Sequence, residues 1–108
     1  MFYTFRQNNS GGSFDRDNNV DVYVVVEGTD ISDVIERAEN IGIYFNGCDT
    51  GQDCECCGDR WSKPWDGEEL DAVPSIYSEP IDEMRDTRTK GCNTVIHFAD
   101  GTRKYAIA

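Results

Sequence analysis

The residues with the greatest chemical capacity are the cysteines: Cys48, Cys54, Cys56 and Cys57 crowd one short stretch, and Cys92 stands apart. Cys54 and Cys57 have the Cys-x-x-Cys spacing with which a tight turn presents two thiolates to one metal ion. Gly58 suits that turn, because a residue without a Cβ relieves crowding and leaves amide groups free to donate to the sulfurs. Zinc takes four donors, and Cys48 is near enough along the chain to be the third. The fourth is open between Cys92, Cys56, which an ordinary turn points away, and His97, the single histidine of the chain. The spacing predicts one structural zinc. Reduced thiols without metal and a disulfide are the other chemistries available, and an odd count of five cysteines argues against a disulfide framework. Taken alone, His97 reads as a strand residue between Ile96 and Phe98.

Two further groups could bind. Arg60 and Trp61 follow the cysteine loop directly and Trp65 comes soon after; these are local packing residues or, since Trp and Arg are enriched where partners dock, a partner-binding surface. Arg6, Gln7, Asn8 and Asn9, followed by Gly11 and Gly12, could form an amide-lined pocket for a small anionic ligand such as a nucleotide. An ordinary loop is the competing reading, since no Lys and no helix start accompany them. Catalysis has little to work with: there is one His, and the βαβ setting of a thioredoxin-like thiol pair is missing. The chain is read as no enzyme.

These residues need a scaffold. Phe2 to Arg6 is aromatic and β-branched and predicts a strand. Asn8 to Ser13 is loop chemistry, and Val20 to Glu27 predicts a second strand with little polar face, hence a central one, paired with the first as a wide hairpin. Asp30 caps a helix in which Ile31, Val34, Ile35, Ala38 and Ile41 form one apolar stripe, ending at Gly42. Ile43 to Phe45 predicts a short strand leading into the cysteine loop. Residues 46–92, with prolines at 64, 74 and 80, predict irregular structure. Asp100-Gly101 predicts a two-residue hairpin that sets Ile96 opposite Tyr105 and Phe98 opposite Arg103, with Ile96, Phe98, Tyr105 and Ile107 on one face. The expected fold is α+β: one domain over residues 1–108, a small antiparallel or mixed sheet packed on one side by a single helix, and an irregular, zinc-knuckle-like cysteine loop.

A chain of 108 residues has room for one core. Its formal charge of −11 disfavours attraction to nucleic-acid phosphates and anionic lipids, so neither nucleic acid nor membrane is an expected direct partner. Much of the acidity lies in Asp66, Glu68, Glu69, Asp71, Glu79, Asp82, Glu83 and Asp86, read as a solvated loop or a charged docking surface. No apolar run is long enough to span a bilayer, and Met1 leads into Phe2 and Tyr3 with no export signal, so a cytoplasmic protein is expected.

Phe5-Arg6-Gln7-Asn8-Asn9-Ser10-Gly11-Gly12, Ala38-Glu39 with Ile41-Gly42-Ile43-Tyr44-Phe45, and Asp53-Cys54-Glu55-Cys56-Cys57-Gly58-Asp59-Arg60-Trp61 together resemble a family of small uncharacterised proteins of tailed bacteriophages over roughly the first 65 residues. The resemblance implies a viral accessory protein made in the host bacterial cytoplasm. It places Cys48, Cys54, Cys56 and Cys57 within the family's pattern and Cys92 outside it, which favours Cys56 or a non-cysteine donor as fourth ligand. The functional expectation is a non-enzymatic zinc-binding protein that contacts a bacterial or phage protein during infection, in host takeover or antiviral defence. The alternatives are an acidic nucleic-acid mimic that occupies a host enzyme's DNA cleft, and a nucleotide-sequestering protein that uses the loop from Arg6.

Overall fold

Val24, Val25 and Val26 are all buried, which a strand with alternating side chains achieves only when both faces of its sheet are covered. The computed structural model describes residues 1–8, 13–53 and 58–108, and it supplies both covers. Strands β1 (Phe2–Arg6), β2 (Tyr23–Glu27), β5 (Thr94–His97) and β6 (Arg103–Ala106) form one sheet in the order β1-β2-β5-β6. The outer pairs are antiparallel and the central β2–β5 pair is parallel, so the sheet is mixed and the fold is α+β, as expected.

Helix α1 (Ile31–Asn40) covers one face. Asp30 caps it by accepting from the Asp33 amide at 2.8 Å. Its end is closed by bonds from Gly42 N–H to Glu39 O and from Ile43 N–H to Ala38 O, the arrangement expected of a glycine-terminated helix. Val34 and Ala38 pack with Phe5, Val24, Val26, Ile43 and Trp61. Ile43 to Phe45 is no strand: those residues pack against this core on the way to a short helical turn, α2 (Gly47–Thr50).

The other face is covered by a strap that composition made look irregular. Asp71 exchanges both backbone bonds with Phe2 on the β1 edge, at 2.7 and 2.8 Å, and Arg85 exchanges both with Tyr105 on β6, at 2.7 and 2.8 Å. Between these anchors the chain crosses beneath the sheet. It forms a small hairpin, β3 (Ser75–Ile76) and β4 (Glu79–Pro80), and Ile76 and Ile81 pack against Phe2, Val25, Ile96 and Ala106. The sheet is therefore not covered by the helix alone.

The C-terminal hairpin forms with its register displaced by one residue from the expected one. Val95 faces Tyr105 and Ile96 faces Lys104, because Phe98 N–H bonds Thr102 O and the loop is Ala99-Asp100-Gly101. Gly101 sits at φ 90°, the left-handed position that closes a three-residue hairpin loop. A one-residue slip reverses the faces. Tyr105 accordingly packs with Cys92 and Val95, while Ile96 and Phe98 stay on the strap side.

Candidate functional site: the Arg60 hub and the stem of the cysteine loop

Cys54, Cys56, Cys57 and Asn9 lie outside the described residues. What surrounds them is built in detail. Gly47 is buried because the carboxylate of Asp53 folds back onto it: a Cβ at Gly47 would lie 1.9 Å from Asp53 Oδ2, and Asp53 N–H donates to Gly47 O at 2.9 Å. Asp53 then accepts from the Tyr44 hydroxyl at 2.9 Å and from the Arg60 amide at 2.8 Å. On the other strand of the stem, Asp59 accepts from the Cys48 amide at 3.0 Å. The residues just before and just after positions 54–57 are thereby bonded to each other.

Arg60 joins this stem to the N-terminal loop. Its guanidinium donates to Gln7 Oε1 at 3.1 Å, Ser13 O at 2.9 Å and the Tyr44 hydroxyl at 3.2 Å, and it lies 3.3 Å from Asp15 and 3.9 Å from Asp53. Its carbonyl accepts from the Asn8 amide at 2.8 Å. A planar group with several donors suits such convergence. Burial, then the bond to Asp53, pushes the Tyr44 hydroxyl pKa up, with Arg60 partly opposing, so Tyr44 stays a neutral donor.

The structure thus brings the two sequence candidates together and changes their roles. Gln7 is buried, with Nε2 donating to Asp15 O at 2.6 Å and Asp21 O at 2.7 Å and Oε1 accepting from Asp15 N–H; it is a brace between loops. Arg6 points to the opposite face and donates to the Tyr77 hydroxyl at 2.9 Å. Strand alternation therefore keeps Arg6 and Gln7 from sharing the anion pocket proposed for them. Trp61 is 1% exposed and belongs to the core, which takes it off the partner-facing surface. Arg60 is largely committed internally, and only Trp65, at 67%, is displayed.

Cys92 and His97 lie in other surroundings. Cys92 is buried beside Val95 and Tyr105 with its sulfur 3.3 Å from the Thr89 hydroxyl. Burial raises its pKa, while the Thr89 bonds and Arg85 together lower it further than burial raises it. His97 Nε2 is 2.6 Å from Asn19 O, and burial lowers its pKa despite that bond. Among the described residues no group of three or more His, Cys, Asp or Glu side chains is assembled around a metal position.

Asp21, and the bonding roles of Asp53 and Tyr44, carry no local signal in the sequence. Asp21 is fully buried and pairs with Arg16 at 3.0 Å and with Arg88. A lone Asp before a valine run carries no signal that a distant arginine will meet it. Likewise, only a distance reveals that Gly47 makes room for Asp53.

No described helix is long and apolar enough to cross a membrane. No curated protein and no solved structure matches the chain. A family model described as a domain of unknown function, DUF7296, matches residues 1–107, and the chain belongs to that family.

Proposed function

We propose that the chain is a non-enzymatic, zinc-binding accessory protein of a tailed phage, made in the cytoplasm of the infected bacterium, that binds a bacterial or phage protein in host takeover or antiviral defence. The observation that carries the zinc reading is the closed stem. Asp53 bonded to the Arg60 amide and Asp59 bonded to the Cys48 amide tie together the residues that flank positions 54–57 and bring the Cys48 backbone to the same stem, which would lower the entropy cost of gathering thiolates on one ion. Cys54 and Cys57 would supply the chelating pair and Cys48 the third ligand. The engagement of Cys92 and His97 elsewhere leaves Cys56 as the favoured fourth. Zinc would support the loop beside the hub, and the acidic strap on the other side of the sheet, with Tyr77 exposed, together with exposed Trp65, would meet the partner.

The test is elemental analysis of protein purified without chelator or added metal. About one zinc per chain is expected, since one tetrahedral site uses four donors. Because Trp61 is buried next to Arg60, chelation or Cys54→Ser should shift tryptophan emission, whereas Cys92→Ser should not. A zinc content near zero with emission indifferent to chelator overturns the metal reading. Exposed Glu83 and Asp86 favour the nucleic-acid mimic as the second reading, in which a host DNA-binding enzyme is captured and lost with salt.

A further inference from the structure

Gly28 N–H bonds Met1 O and Gln7 N–H bonds Val22 O, so the odd-numbered residues of this stretch turn their backbone groups toward β2 and the even-numbered ones turn theirs outward. Of the outward groups, Phe2 is paired with Asp71 and the Asn8 amide donates to Arg60 O. Between them, the N–H and C=O of Thr4 and Arg6 have no backbone partner among the described residues. Thr4 and Arg6 also line a groove of about 370 Å³ whose walls include Tyr3, Glu68, Glu69, Asp71 and Tyr77, and the Thr4 hydroxyl donates to Ser75 O on the strap.

We infer that this window in the β1 edge is a docking site for a short, extended, cationic segment of a partner protein, which adds to β1 as a further strand. The inference rests on reading the chain as a protein-binding module and is independent of the zinc. Strand addition draws affinity from backbone hydrogen bonds and specificity from alternate side chains, and the window offers two donors and two acceptors in ladder position. The charge selects the occupant. Glu68, Glu69 and Asp71 line the groove against Arg6 alone, whose guanidinium already donates to Tyr77. A second copy of the chain would bring the same carboxylates and another net charge of −11, which disfavours edge-to-edge self-pairing and favours lysine- or arginine-bearing peptides. Tyr77 is built as a wall of the site. Tyr77 and Ser78 hold φ of 50° and 67°, a conformation that costs energy in residues with side chains, and the tyrosine ring stands edge-on to Tyr23 at 6.1 Å while remaining 68% exposed.

The experiment is titration of ¹⁵N-labelled full chain with blocked peptides of about five residues alternating Lys and Val, the length of an ordinary strand, with Glu/Val peptides as control. The Thr4 and Arg6 amides should shift with the Lys/Val peptide and not with the Glu/Val peptide, and affinity should fall with salt. Arg6→Pro removes an outward N–H that β2 does not use, so the sheet should tolerate it. Binding should weaken at least ~10-fold, about what one lost hydrogen bond to a committed partner costs, while Arg6→Ala keeps it. Should Arg6→Pro disturb Trp61 emission, Glu69→Lys decides, since it reverses an exposed groove charge and should likewise weaken binding at least ~10-fold. Equal affinity in the decisive variant, shifts confined to other strands, or concentration-dependent dimerisation through the Thr4 and Arg6 amides without peptide would overturn the inference. Partner capture that survives Arg6→Pro would sink this site while leaving the protein-binding reading intact.

Discussion

On the helix side of the sheet, the chain around Arg60 is cross-linked by side chains, with one guanidinium meeting Gln7, Ser13, Asp15, Tyr44 and Asp53. On the other side, the strap is joined by backbone bridges at Asp71 and Arg85 and by Ile76 and Ile81 between them. The first arrangement depends on particular residue types, because removing one partner leaves the rest desolvated and unpaired. The second depends mainly on main chain and on generic apolar area, which leaves its carboxylates exposed and available. A small domain can thus tie one side together through specific polar pairs and the other through main chain and apolar area.

Substitutions on the two sides should separate these modes of support. Arg60→Met should have the largest effect, a loss of about 2–3 kcal/mol in urea unfolding; this is below the full cost of breaking a buried pair because the guanidinium retains some exposure. A loss under about 0.5 kcal/mol, typical of surface substitutions, would show that solvent replaces the hub freely. Ile81→Ala should cost less, about 1–2 kcal/mol, since a half-buried side chain forfeits part of its transfer energy. Its Trp61 emission should match the parent's, whereas Arg60→Met should change it. An Ile81→Ala variant less stable than Arg60→Met would reverse the comparison. Smallest of all, Ser78→Gly should raise stability by about 0.5 kcal/mol by relieving a left-handed residue, partly offset by the freedom glycine gains when unfolded. A melting temperature that falls would show the β3–β4 turn to be unstrained.

The regular parts of this fold were legible because their signals are local. Phe2 to Arg6, the valine run, Asp30 and the stripe of α1 each announce themselves within a few residues. The strap was not legible, since Tyr77-Ser78 lacks the glycine or asparagine that marks a tight hairpin, and the bridges at Asp71 and Arg85 depend on partners far along the chain. Asp100-Gly101 gave the hairpin but not its register, because the same dipeptide serves a two-residue loop and, with Ala99 before it, a three-residue one. For the candidate site, the sequence shows Gln7, Asn8 and Arg60 as polar residues able to bind, but not that they bond to one another across the chain. Arg and Trp are enriched at interfaces, but in a chain with little interior they are also used to build it, and composition does not separate the two uses. The metal-ligand expectation for Cys54, Cys56 and Cys57 lies outside the described residues.

The strap also lies within a long stretch of chain that separates two neighbouring strands. β2 and β5 are the central neighbours, with Val25 opposite Ile96, yet α1, the cysteine loop and the strap all lie between them in sequence. Closing that span comes before the sheet gains its middle, and such long closures delay the rewarding contacts. Until residues 71–85 are laid across, the Phe2 and Tyr105 edges are both open and Val25 has one bare face. Once laid across, the strap pairs with Phe2 and Tyr105 and covers Val25, which withdraws those edge positions and that apolar face from neighbouring chains.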